Sequence, residues 1–358
     1  MFIIQKNNIE RILYLDILRI LSIFGVVVLH VSAPFLTTLD SNGIQWWWSG
    51  NIFDSLSRWC VPVLIMISGK LILGSKKYND IGEFLGKRLT KILIPLIFWS
   101  ILYFIWVGRS NLSLDITLIT GILTRIYEGS IVTHFWYLYM LIGLYLFTPI
   151  IKPFIQDYNK SGTKYFLFIW FIANGIFEFI GRLSGLNSGI YLQLFHWSLG
   201  FYVLGYFLDR EDMKPKNRII LYILGFIGLM STIFGTYYLM SKSNGVFRDN
   251  FYSYLAPNVI FTAIGVFVLF KYIKWEKIIP AGGFLQRAVQ SINKTSFGIY
   301  LVHPLIIDIL KSGYIGINIY PLMFNHVIGI PLIGIVVFIL SHIIIWLIQR
   351  IPIFRKVV

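Results

Sequence analysis

Runs of about twenty apolar residues, separated by short polar connections, recur along this chain from end to end. A run of that length crosses a hydrocarbon core as a helix. Within a bilayer the backbone has no water to bond to. A spanning segment must therefore satisfy its own N–H and C=O groups, and an α-helix does this within a single segment. The composition agrees: 57% of the 358 residues are hydrophobic and 13% charged, about half the charged share of an average soluble domain.

The pattern predicts an all-α integral membrane protein, a single polytopic bundle of ten helices occupying residues 1–358 as one domain. The spans lie near 12–33, 53–73, 92–108, 133–151, 163–181, 190–208, 218–240, 255–272, 295–312 and 326–349. The connections are too short to fold as separate domains, and no repeat recurs at a fixed period. "VSA" at Val31–Ala33 has the look of a signal-peptidase site. Asp16 and Arg19 interrupt the apolar stretch before it and Pro34 follows it, so the first segment is expected to be a retained span.

The net charge of +15 raises the question of a nucleic-acid partner. Its distribution argues against one, because the aromatic residues lie mostly within or beside apolar spans rather than interleaved with basic ones. With both termini cytoplasmic, 22 of the 31 Lys and Arg fall in cytoplasmic segments and six in external ones. That asymmetry is the positive-inside signal. The single cysteine, Cys60, permits no internal disulfide and says nothing of redox compartment. It has no His or Lys beside it in sequence and is expected to be a packing residue. No Cys/His cluster or carboxylate set points to a metal.

The first span carries three residues that are costly in hydrocarbon: Asp16, Arg19 and His30, within "DILRILSIFGVVVLH". Eleven steps at 100° bring Arg19 and His30 to within about 20° of the same helix face, roughly 16 Å apart along the axis. Asp16, three residues before Arg19, adjoins it on that face. The three form a polar stripe that runs from the cytoplasmic third of the span toward the exterior. Asp16 and Arg19 can be a structural ion pair at the inner interface or part of a site. His30 can be a hydrogen-bonded core histidine, but ionisable residues in a span face an interior or a cavity, and an imidazole suits proton transfer.

This opening, D-x-x-R followed by ten residues and H, resembles that of the membrane-bound acyltransferase 3 family, which includes bacterial O-acyltransferases of surface polysaccharides. "VPVLIMISGKLILG" (61–74), with Ser68 and Gly69, is similar to the family's second-span signature. "HFWYLYMLIGLYLFTPIIKPFI" (134–155) and "TSFGIYLVHPLII" (295–307) match later elements in order, and "YSYLAPNVIF" (252–261) resembles the branch acting on enterobacterial common antigen. By this resemblance Arg19 and His30 fill the family's R-x10-H motif; Asp16, from its own place three residues before Arg19, is expected to hold it. Arg88 and Lys91 stand where the family has R-x-x-R before its third span. Lysine keeps the charge there but lacks the planar fork that grips a phosphate. Lys70, after Ser68-Gly69, replaces a customary aromatic and is read as a lysine snorkelling to the inner interface.

The resemblance implies a membrane O-acyltransferase of the bacterial cytoplasmic membrane. It would hold no permanent cofactor, take acetyl-CoA or another acyl-CoA as co-substrate from the cytoplasm, and acylate an extracytoplasmic saccharide or lipid-linked glycan. Coenzyme A is a polyanion, and the connection carrying Lys76, Lys77, Lys87, Arg88 and Lys91 is its electrostatic landing site, if these are more than topology signals. His303, with Tyr300 three residues earlier, serves either the chemistry or a kink beside Pro304. His134 either meets the acceptor or sits at the interface beside Trp136. Glu178 and Arg182 have ion-pair spacing and are read as structural. Trp46, Trp47 and Trp48 are read as interfacial anchors. Two other classes remain open: a transporter or flippase of a lipid-linked saccharide, for which "YLAPN" would supply a proline-broken helix, and a scaffold in a glycan-assembly complex.

Overall fold

The computed structural model describes residues 13–37, 43–75, 80–108, 116–156, 160–185, 197–314 and 316–358. All regular structure among them is helical, as the bilayer argument requires. The principal helices are α1 (Leu13–Ser32), α2 (Ile44–Ser57), α3 (Cys60–Leu73), α4 (Ile81–Gly108), α5 (Ile116–Glu128) and α6 (Trp136–Gln156). There follow α7 (Lys160–Trp170), which passes through a π-helical stretch, Phe171–Phe177, into α8 (Glu178–Ser184), then α9 (Trp197–Arg210) and α10 (Pro215–Lys242). The last are α11 (Pro257–Tyr272), α12 (Phe284–Ser312) and α13 (Gly329–Ile348).

Eight helical stretches among the described residues are long and apolar enough to cross a membrane: 13–37, 44–73, 81–108, 133–155, 160–184, 215–242, 250–272 and 329–348. The two remaining predicted spans correspond to α9 and α12. The predicted range 190–208 begins outside the described residues, and the described part, α9, is buried along most of its length. The ninth span proves much longer than its apolar core: α12 begins at Phe284, not near 295. The third span likewise begins at Ile81, so Arg88 and Lys91 sit on helical turns rather than in a loop. Hydropathy marks only the apolar part of a helix, whereas Lys, Arg and Gln continue it without a break.

Two further expectations change. "YLAPN" is not a broken helix, because Ala256 is extended and Pro257 is the first residue of α11, where proline has no N–H to lose. The residues Trp46–Trp48 lie on α2, and Trp47 is fully buried against Leu36, Met240 and Tyr252.

Helix α1 is central, packing against α2, α3, α12 and α13. Helices α3 and α9 approach backbone to backbone. A Cβ at Gly69 would lie 1.8 Å from the Tyr202 carbonyl oxygen, and one at Gly205 2.1 Å from that of Met66. Small residues at such crossings supply the close contact that drives helix association in lipid. The Ser68-Gly69 signature thus has a direct packing cause.

Candidate active site

The stripe on α1 acquires partners from α12. The amide of Asn293 donates to Asp16 Oδ1 at 2.6 Å and accepts from Arg19 Nη1 at 2.8 Å. The direct Asp16–Arg19 ion pair is longer, at 3.7 Å. Asn293 therefore bridges carboxylate and guanidinium, and the expectation that Asp16 steadies Arg19 is met through a third residue. Asp16 itself is buried.

Arg19 lines a cavity of about 420 Å³ together with Arg88 and Lys91 of α4. Three cations from two helices thus face one space. Ser68 and Asn293 line it too, and its walls include the rings of Tyr137, Tyr145 and Tyr300. Ser68 donates its hydroxyl to the Leu64 carbonyl at 3.0 Å. Of the other cations on this connection, Lys87 pairs with Glu83 on the exposed surface. Lys76 and Lys77 lie outside the described residues.

At the other end of the stripe, three imidazoles from different parts of the chain converge. The ring of His30 lies 5.1 Å from that of His303 and 6.3 Å from that of His134, and the latter two are 5.6 Å apart. His134 is buried, so it belongs to this cluster rather than to the interface. Tyr300 joins the cluster to the cavity. Its ring is 5.4 Å from Tyr137 and 5.6 Å from His134, and its hydroxyl donates to the His134 carbonyl. His30 is not among the cavity-lining residues, and it retains partial exposure.

His303 bonds back to its own helix beside Pro304 and also stands in the imidazole cluster. Pro304 has no N–H to offer the carbonyl of Tyr300, one helical turn back. His303 Nδ1 occupies that position, 2.8 Å from the Tyr300 oxygen, which makes it the N–H donor. The Tyr103 hydroxyl enters the same kink, donating to Leu301 O at 2.8 Å and accepting from Leu305 N at 3.2 Å. With Nδ1 committed to its own helix, His303 Nε2 is left as a lone-pair acceptor pointing away from it. It has no hydrogen-bond partner among the described residues, and neither has His134 Nε2. Two orphaned buried nitrogens in one cluster are a feature to explain.

The sequence reading passed over a second polar group at this end. Asp54, fully buried on α2, pairs with Arg58 just past the helix end. The Arg58 guanidinium lies 4.4 Å from the Tyr252 ring centroid and 5.9 Å from that of Tyr254. Tyr252 in turn donates to Asn51 Oδ1 at 2.6 Å. The i,i+4 spacing of Asp54 and Arg58 was the available signal, but their position at a predicted span boundary concealed it. Tyr103 and Asn293 carried no comparable signal.

The remaining candidates fall into place outside the site. Lys70 does not reach only to the interface, because it pairs with Asp209, which also accepts from Tyr14. Glu178 and Arg182 form the expected structural pair at 3.0 Å, with Asp249 joining at 3.6 Å. Cys60 is buried against α1 at Gly25, where a Cβ would meet its own at 3.0 Å, in keeping with a packing role.

Residues 12–350 match the acyltransferase domain of the acyltransferase 3 family. A curated relative, nodulation protein NolL of Mesorhizobium japonicum, is 22% identical over 195 residues. That match covers 54% of this chain and 48% of the relative, so the chain spans about half the length of the curated protein it resembles. No solved structure gives a significant match.

Proposed function

The chain belongs to the acyltransferase 3 family, and from that membership we propose a membrane O-acyltransferase that moves an acetyl group from cytoplasmic acetyl-CoA to a hydroxyl of an extracytoplasmic saccharide. The supporting observation is spatial. One α1 stripe carries a three-cation cavity at one end and a cluster of three imidazoles at the other. The cations suit a donor rich in phosphate, and the imidazoles suit proton transfer.

In this reading Arg19, Arg88 and Lys91 hold the phosphates of the donor. The pantetheine arm extends toward Tyr137 and Tyr300, which line the cavity and whose rings lead on to His134. His30 accepts the proton of the acceptor hydroxyl as its oxygen attacks the thioester carbonyl. Collapse of the tetrahedral intermediate breaks the C–S bond, and the imidazolium returns the proton to the departing thiolate. The products are an ester and free coenzyme A. The unpartnered lone pair on His303 Nε2, in a ring 5.1 Å from that of His30, favours charge on the developing imidazolium. The cell membrane of a bacterium, with the cation cavity inward, is the setting this chemistry requires. The branch that acts on enterobacterial common antigen is the specific assignment proposed.

The test is His30→Ala, purified in lipid nanodiscs with acetyl-CoA and an extract of envelope glycans. The expected result is loss of acetylated product with unfolding temperature unchanged. Product formation at the unmodified protein's rate would remove His30 from the mechanism.

A further inference from the structure

A second cavity, of about 800 Å³, lies on the other side of α6. Helix α6 is a shared wall. Tyr137, Leu141 and Tyr145 face the three-cation cavity, while Trp136, Met140, Gly143 and Phe147 face the second one. The two rows are separated by roughly a third of a turn, as their numbering requires. The 4-3-4 spacing of the second row continues to Ile150 and Phe154, which are 67% and 45% exposed. In a membrane-spanning helix those residues meet lipid, so the cavity opens along an apolar stripe toward the acyl chains.

The opposite end of the cavity differs in character. Glu128 lines it there, beside Trp136 and Trp197. Trp197 stacks on Tyr254 at 6.2 Å with 16° between planes, and Trp136 lies 5.9 Å from Tyr254. Tyr254 is the farther of the two rings against Arg58, and Trp136 follows His134 by two residues. A chain of ring contacts links this aromatic end to the imidazole cluster, from Trp136 to Tyr137 at 6.1 Å, to Tyr300 at 5.4 Å and to His134 at 5.6 Å, and along the groove polarity grades from carboxylate and indoles to pure hydrocarbon.

Gly143 sits halfway along this groove. Glycine inside a helix costs about 1 kcal/mol relative to alanine, and the cost usually has a packing reason. Gly69 and Gly205 have one; Gly143 has none, because a Cβ built there meets no atom within 4 Å. What the missing side chain preserves is the groove itself.

We propose that this groove seats the acceptor, and that the acceptor is a lipid-anchored saccharide. Its sugar ring stacks at the Trp136–Trp197 end beside the imidazoles. Its hydrocarbon chain lies along Met140, Gly143 and Phe147 and out over Ile150 and Phe154. The hydroxyl therefore arrives sideways from the bilayer, across α6 from the donor. This assignment rests on the transferase reading above, but its test does not depend on turnover.

The probe is an alkyl glucoside with a diazirine in its chain, photolysed with the protein in nanodiscs and mapped by mass spectrometry. Label is expected on the 140–147 stretch of α6 in the unmodified protein. Gly143→Trp, whose side chain fills open space without striking the fold, should reduce that label about tenfold by occluding the groove. Gly143→Leu serves if the larger variant does not fold. Undiminished label in the variant would overturn the proposal. So would equal label from a diazirine lipid with no sugar, since the groove would then hold ordinary lipid. Separately, thiol release from acetyl-CoA by the unmodified protein reads the transferase assignment. Absence of that activity alongside groove labelling would sink the transferase and not the groove.

Discussion

His303 holds its own backbone while its ring stands in the imidazole cluster. Its Nδ1 proton satisfies the carbonyl that Pro304 leaves without a partner, and that bond fixes the tautomer which leaves Nε2 bare. The two roles are separable by substitution. In His303→Asn the side-chain amide nitrogen takes the place of Nδ1, so the Tyr300 carbonyl keeps a donor while the Nε2 acceptor is lost. In His303→Ala both are gone, and a stranded buried carbonyl costs about 1–3 kcal/mol. The expected outcome is near-native thermal stability with reduced acyl transfer for the asparagine variant, and reduction of both for alanine. Equal loss of stability in the two would show that Nδ1 is not what holds the kink. The same scale explains what was visible beforehand. Arg19 and His30 were legible because a helix fixes the relative direction of its own residues. Asn293 was not, because a neutral amide in a run read as a connection gives no sign that it will bridge an ion pair.

The helices meet where side chains are smallest. The α3–α9 crossing depends on Gly69 and Gly205, with almost no gap between the two backbones. Gly69→Ala places a methyl against the Tyr202 carbonyl, and overpacking of this kind costs about 1–3 kcal/mol or more. A lower unfolding temperature in detergent is expected, with α3 displaced from α9; an unchanged temperature would mean the crossing is more yielding than its distances indicate. The contrast with Gly143 is instructive, since two glycines in apolar helices serve opposite ends. One lets backbones touch, and the other keeps them from being filled between. Helix boundaries were the least legible feature at this scale. The polar turns of α4 and α12 were read as connections, although they carry Arg88, Lys91 and Asn293, which line the three-cation cavity.

For the whole molecule, the distribution of charge predicts which way the bundle sits. Arg210, Lys214, Lys216 and Arg218 lie in or beside the short connection between α9 and α10, and the connection between α10 and α11 lies at the other end of α10. Cys60 is buried, so single cysteines placed elsewhere report cleanly. An impermeant maleimide should label Ser243→Cys in intact cells and Lys216→Cys only after permeabilisation. The reverse pattern would invert the topology and put the three-cation cavity on the wrong side for cytoplasmic acyl-CoA. The charge asymmetry that supports this orientation follows from sequence counting alone, and so does the all-helical class. Both arise from properties that each segment carries by itself: its length, its hydropathy and its flanking charges. Which helices are neighbours does not arise that way. In lipid every apolar face is equally comfortable against chains or protein, so association is decided by local shape and by small-residue contacts that hydropathy does not record. The sequence therefore determined a helical bundle with a charged stripe on its first span. Only the tertiary packing decided that His134 and His303 would meet His30, that Asn293 would join Asp16 to Arg19, and that α6 would stand between two cavities.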